Sequence, residues 1–338
     1  MKTRAKRILS AALAALTAFS VFAGTDFGMT YEAQAAQAAA EAPGTEVSAR
    51  AVSGLGTTSF EWARQIYDGV SLTHTMSENE SGLQKSWTVD FNSVTCEVTP
   101  VVSYGDHVMG GDIMSDLVAA EEQSGKKVVF AINGDAYDTT NGVSNGLMIR
   151  DGILISTSNG SEAVGFKADG TVIYGGTSLN ITAQAGDQTI RIAHVNKERK
   201  LDTENVYLLT EQFDTATNST QPGVEVVLDV ETAGYQGVKI GESLTAKVVS
   251  VNQVQANPNK NTTAIGRGQI VLSANSASSQ YAALSGLSQG QEVTVSVQNN
   301  NSDVDWSEAE QPLGIFHVLV KNGVETAGVR GNTEVHPR

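Results

Sequence analysis

The chain has 338 residues, 40% of them hydrophobic, with 22 Lys+Arg against 37 Asp+Glu and a formal net charge of −15. This acidic balance excludes a nucleic-acid partner, which needs a basic footprint. Any anionic substrate must be met by a local positive feature. Cys96 is the single cysteine, so no intrachain disulfide can form.

Residues 1–35 have the three parts of a secretory signal. Lys2, Arg4, Lys6 and Arg7 form a basic start, Ile8 to Ala23 an apolar stretch too short for a comfortable membrane span, and Ala33-Gln34-Ala35 a small-residue cleavage site, with Val21-Phe22-Ala23 as a second option. A secreted or cell-surface protein with no membrane span after cleavage is expected. Residues 36–58 are rich in Ala, Gly, Ser and Thr without a core pattern and read as a disordered leader.

From residue 59 to 338 the pattern predicts one β-rich α+β domain of mixed or antiparallel sheet with a few short helices. Rough alternation from Trp87 to Val102 predicts a strand or hairpin. Asp112 reads as an N-cap, with Ile113, Leu117 and Ala120 on one helical face and Gly125 as the stop. The apolar run from Lys127 to Ile132 reads as a core strand breaking into Asn133-Gly134-Asp135-Ala136-Tyr137-Asp138, followed by hairpins turning at Asp151-Gly152 and Asp169-Gly170. Further strands are predicted at 190–195, 206–209, 224–230, 244–251, 269–272, 292–297 and 315–320. A short helix is predicted near 278–284, and a tight turn at Asn322-Gly323.

A polar cluster at a strand end is where sites are commonly built, which points to the loop after Ile132. Asp135 reads as a catalytic carboxylate or as a cap on the loop amides. Asn133 reads as a substrate ligand or as part of the turn, and Asp151 as a hairpin residue. Asp135, Asp138 and Asn141 have a loose oxygen-ligand spacing for a divalent cation, without the Glu and Gly of an EF-hand loop. No Gly-x-Ser-x-Gly, His-Glu-x-x-His or cysteine-rich metal pattern occurs.

The block Ala131 to Tyr137, then Gly146-Leu147, then Arg150-Asp151-Gly152, resembles the phosphodiester glycosidase family. Ala193-His194-Val195-Asn196-Lys197 with Arg199 is similar to the family's Val-Asn-x-x-Arg element. Gly268 to Ala274 is similar to its glycine-led strand, and Leu319 to Gly323 with His336-Pro337-Arg338 to its last element here. The likeness runs from about Gly69 to Arg338. Ala136-Tyr137 stands where the family has Phe-Phe. The family continues beyond the point where this chain stops, so the resemblance implies an N-terminal fragment of a longer protein, incomplete at its C-terminus.

The resemblance further implies an exported glycosidase that hydrolyses a sugar-1-phosphodiester, an N-acetylglucosamine-type cap on a phosphorylated glycan, at the anomeric carbon. Asp135 and His336 would be catalytic, His336 as general acid or base unless it is structural. Asn133, Tyr137, Asn196, Arg199 and Arg338 would bind substrate, Arg338 and Arg199 by gripping phosphate. On charge pattern alone Arg199 reads instead as one of several surface cations in residues 197–200. The competing reading is a non-catalytic glycan-binding or polysaccharide-attachment module at the cell surface.

Overall fold

A computed structural model describes residues 56–158, 160–200, 204–255 and 263–315, and the backbone of 320–321 and 324–325. The signal, all but the last residues of the leader, Asn322-Gly323, His336 and Arg338 lie outside the described residues. The chain divides into two compact units between Glu97 and Val98, inside the single stretch expected from residue 59 onward.

The first unit is an antiparallel meander, β1 (Thr57–Tyr67), β2 (Val70–Asn79) and β3 (Gly82–Phe91). Thr57 and Thr58 therefore belong to β1 and not to the leader. After Phe91 the backbone leaves the sheet, so Val98 and Val101 are not strand residues as the alternation suggested. Cys96 is a free thiol whose Sγ lies 3.2 Å from the Asp68 carbonyl oxygen.

The second unit is built on two sheets. In the first, β4 (Met148–Arg150), β5 (Ile153–Ser156), β6 (Glu162–Phe166), β7 (Val172–Gly176) and β16 (Leu313–Ile315) run in the order β5-β4-β16-β6-β7. The second comprises β8 (Leu179–Ala185), β9 (Gln188–Ile192), β10 (His194–Val195), β11 (Val206–Thr210), β12 (Gly223–Val230), β13 (Ser243–Val254), β14 (Gln269–Asn275) and β15 (Glu292–Asn299). Its order is β10-β11-β14-β12-β13-β15-β8-β9. Every described pairing is antiparallel except β10 with β11. β17 (Val320–Lys321) and β18 (Val324–Glu325) form a separate ribbon.

Apolar patterning explains the packing. β8 and β15 bury every second residue and contribute one face to the core, which fits their alternating sequences. β11 is buried throughout and β12 over its first six residues. Val206 and Leu208 face the larger core with Leu147, Leu154 and Trp306, while Tyr207 and Leu209 face a second one with Ile155 and Phe213. A run apolar on both faces belongs in the middle of a sheet covered on both sides.

Two hairpins follow their turn chemistry. Asp151 and Gly152 have φ of 52° and 74°, the pair of positive angles that a type I′ turn requires. Gly170, at φ 82°, closes the β6–β7 turn.

Two expectations fail here. Helix α1 (Met114–Gln123) has Ile113 as its N-cap with no side-chain cap, so Asp112 does not cap it. Its buried residue is Glu121, tied to Arg150, Lys126 and Ser103, while Ile113 and Ala120 are exposed. The ion cluster, not an apolar stripe, seats this helix. Residues 127–132 form no strand, and Ile132 is 75% exposed. A strand needs a neighbour to take up its amides and carbonyls, and none of the described sheets or bridges includes this run. Helix α2 (Tyr281–Ser285) forms near its predicted place.

Candidate functional site

The loop after Ile132 folds back on itself. Asp138 N–H donates to Val143 O and Asn145 N–H to Ala136 O, at 2.9 and 2.8 Å, and Tyr137 bridges Ser144. Gly142 N–H donates to Asp138 O at 2.8 Å, closing the tip. Asn133 is exposed before this loop, and the Tyr137 ring is exposed on it.

Asp135 sits at the loop's root with one carboxylate oxygen anchored. Oδ2 accepts from Ser144 Oγ at 2.7 Å and from Gly146 N–H at 2.5 Å, while Oδ1 accepts no hydrogen bond among the described residues. The carboxylate fits between two bare backbones. A Cβ at Gly146 would lie 2.6 Å from Oδ2, and one at Gly314 2.7 Å from it. Glycine at both positions is what lets the carboxylate approach so closely. Half-buried and held from one side, Asp135 can present Oδ1 to a reacting carbon or to a water.

The second wall is the segment 196–200, built differently from its sequence reading. Asn196 has φ of 51° and is fully buried. Its Nδ2 donates to Ile155 O (2.8 Å) and Thr210 Oγ1 (2.9 Å), and its Oδ1 accepts from Thr210 N–H (2.8 Å). The amide is thus fully engaged in locking the turn out of β10 against β5 and β11.

Arg199 is neither a surface cation nor positioned to grip phosphate. It is buried, and its guanidinium donates to the carbonyls of Pro222, Ala274 and Gln221 and to Asn275 Oδ1, at 3.1, 3.0, 2.6 and 2.6 Å. Glu225 lies 4.0 Å away, itself hydrogen-bonded by Thr217, Ser219 and Ser273. Burial lowers the arginine's pKa, and Glu225 opposes that. The space around the guanidinium is taken by β12 and β14. A Cβ on Gly223 would lie 2.2 Å from Nη1.

Around these two anchors, the chain turns its other side chains toward the loop. Lys197 Nζ donates to Ser144 O, Asn141 Nδ2 donates to Glu198 Oε2 (2.6 Å), and Lys200 pairs with Asp138 (3.0 Å). Desolvation by burial brings the Lys197 ammonium down to about 8, with Asp135 pulling it up and Lys200 pushing it further down. It stays mostly charged at neutral pH. Asp138, about a quarter exposed, is lowered to about 2 by hydrogen bonds from Thr140 and then Lys200.

Of the residues singled out from the sequence, the structure joins the Asp135 loop to the 196–200 segment. It gives Asn196 and Arg199 to the interior and brings Lys197 and Ser144 to Asp135. Lys197 stood inside the matched element, but nothing local told it apart from its neighbours. Two of the three residues suggested for a cation have their oxygens engaged, Asp138 by Thr140 and Lys200 and Asn141 Oδ1 by Val143 N–H. Among the described residues, no group of three or more His, Cys, Asp or Glu is arranged to hold a metal ion.

No protein-family model matches the chain, and no curated protein matches it. A crystal structure of a hypothetical protein from Synechocystis is similar, with a TM-score of 0.61 at 13% identity over 79% of this chain and 45% of that one. A candidate exported protein from Burkholderia pseudomallei gives a TM-score of 0.47 at 12% identity over 75% of this chain and 51% of that one, too loose to carry an argument. This chain thus spans about half the length of each. The first likeness speaks to fold alone. No described helix is long and apolar enough to cross a membrane.

Proposed function

We propose that the chain carries the site of an exported glycosidase that hydrolyses sugar-1-phosphodiesters at the anomeric carbon. The observation that carries this reading is Asp135, anchored through Oδ2 with Oδ1 open, beside the Lys197 ammonium. The bond to break is C1–O, and its electron pair leaves on a phosphate monoester. That leaving group is a weak base and needs its charge met more than it needs a proton. Lys197 is the cation placed to do so, in the role the sequence suggested for Arg199. Asp135 stabilises positive charge at C1, and water supplies the hydroxyl there while its proton goes to solvent. The ordered motifs from Ala131 to Arg199 support the substrate class, and residues 1–35 support export.

The test is release of free sugar from an α-linked N-acetylglucosamine phosphodiester by the full-length protein. Wild type is expected to turn over, and Asp135→Asn to lose about 100-fold or more. No release from several such diesters by folded protein would sink the reading. Engagement of Asn196 and Arg199 within the fold favours one rival, a glycan-binding module without chemistry. Glycan retention by Asp135→Asn, combined with an inactive wild type, would select it.

A further inference from the structure

Ser144 touches both charged groups of the site. Its hydroxyl donates to Asp135 Oδ2 at 2.7 Å, and its carbonyl oxygen accepts from the Lys197 ammonium. The residue is buried, and the backbone on which it stands is held from several sides. Val143 before it packs in the core with Ile155 and Phe213, and Leu147 after it in the core with Leu154 and Trp306. Tyr137 and Ser144 form an antiparallel bridge, and Asn145 N–H donates to Ala136 O at 2.8 Å. A close-packed interior leaves a residue set in this way little room to shift.

The two charged groups need such a fixed point. Asn133 and Gly134, which lead into Asp135, are exposed. The last torsion of an aspartate is broad and roughly two-fold, so the side chain alone does not decide which oxygen faces outward. Two donors decide it here, Ser144 Oγ and Gly146 N–H, both on Oδ2. Donors prefer to lie near the plane of the carbonyl group they bond, so a pair of them orients the carboxylate as well as tethering it. With one donor the group can swing about the bond that is left. Lys197 is a cation on a flexible four-carbon stem. Its backbone follows Asn196, which is locked to Ile155 and Thr210, and the Ser144 carbonyl gives its ammonium an end point.

We propose that Ser144 is a positioning residue, which holds the Asp135 carboxylate through its hydroxyl and the Lys197 ammonium through its carbonyl, and so sets the spacing between them. The assignment rests on the glycosidase reading and adds to it what orders the two charges. Ser144 acts through Asp135 and Lys197 and not on substrate. Asp135 Oδ1 serves the anomeric carbon and Lys197 the leaving phosphate, so the spacing of the two groups has to match that of C1 and the phosphate oxygens. A misplacement of about 1 Å in such a geometry costs about 100-fold in rate.

The experiment compares wild type, Ser144→Ala and Ser144→Thr as full-length protein, following turnover of an α-linked N-acetylglucosamine phosphodiester against pH. Ser144→Ala deletes the hydroxyl and keeps the carbonyl. Its kcat is expected to fall by about 10- to 100-fold with KM changed by less than about twofold, because the lost bond orients a group that acts in the transition state. The alkaline limb near pH 8 should stay in place, since Lys197 keeps its carbonyl partner and the Asp135 and Lys200 charges that face it. Ser144→Thr carries a hydroxyl on the same carbon and should recover much of the lost kcat. An unchanged kcat in Ser144→Ala overturns the assignment. So does a raised KM that accounts for the loss, a displaced alkaline limb, or a Ser144→Thr variant no better than Ser144→Ala. Loss of the folded state in Ser144→Ala would give the residue to the fold instead. A wild type inactive on several such diesters removes the glycosidase reading and this assignment with it, whereas an active wild type with an indifferent Ser144→Ala removes the assignment alone.

Discussion

At the scale of single residues, the weight of the site falls on Lys197. Its ammonium is lowered from 10.5 to about 8, chiefly by burial. If it meets the leaving phosphate in its charged form, turnover should fall as pH rises through about 8. A pH–rate profile checks this, and Lys197→Arg should carry that limb to higher pH. Stability runs the other way. Between about pH 8 and 10.5 the unfolded chain holds a proton on Lys197 that the folded chain has released, so the folded state gains stability with rising pH across that window. Lys197→Met should flatten this part of a pH series of chemical denaturation.

Asp135 was legible as a site candidate because a sharp polar break after an apolar run is a local signal. Lys197 was not. Its exposure toward the loop depends on Asn196 bonding Thr210, 14 residues away, and on Arg199 bonding Ala274, 75 residues away. No local pattern encodes which of four consecutive polar residues turns inward.

Among the elements, turns proved the most readable. Asp151, Gly152 and Gly170 take the positive φ angles that their turns require. Strands β9 to β15 follow from their apolar content, while β8, whose buried positions alternate with Asn180, Thr182 and Gln184, was passed over. The run at 127–132 misled because its composition says nothing about whether a neighbouring strand is present. β1 and β2 were overlooked because Glu61, Arg64, Thr73 and Thr75 interrupt any clean alternation.

The seat of Asp135 joins two elements, the 146 end of the loop and β16, through the paired glycines Gly146 and Gly314. Gly146→Ala should press a methyl group against both the carboxylate and the Gly314 backbone. An overpacking cost of about 1–3 kcal/mol is expected in thermal or urea unfolding, with a loss of activity larger than that of a surface variant of equal stability. Activity equal to that of wild type would mean that the carboxylate's position is not critical.

For the whole second unit, the Arg199–Glu225 cluster behaves as a rivet through the centre of the larger sheet. Arg199→Met leaves Glu225 buried without its cation, and removing one member of such a pair costs about 3–5 kcal/mol. The expected signature is a large fall in the unfolding midpoint. Where the variant remains folded, its KM for the phosphodiester should be unchanged. A raised KM with an unchanged midpoint would instead return Arg199 to the substrate.

The two anchors at Asn196 and Arg199 also bear on how related chains should be sorted. Those two side chains can persist in any protein that needs this turn locked onto these strands, whether or not it performs any reaction. A sequence that keeps both but has lost Asp135 or Lys197 is then expected to share the architecture and to be silent as a catalyst. Choosing chains for activity screening by the Asn and Arg of that element would enrich for shape. Choosing by Asp135 together with Lys197 would enrich for chemistry.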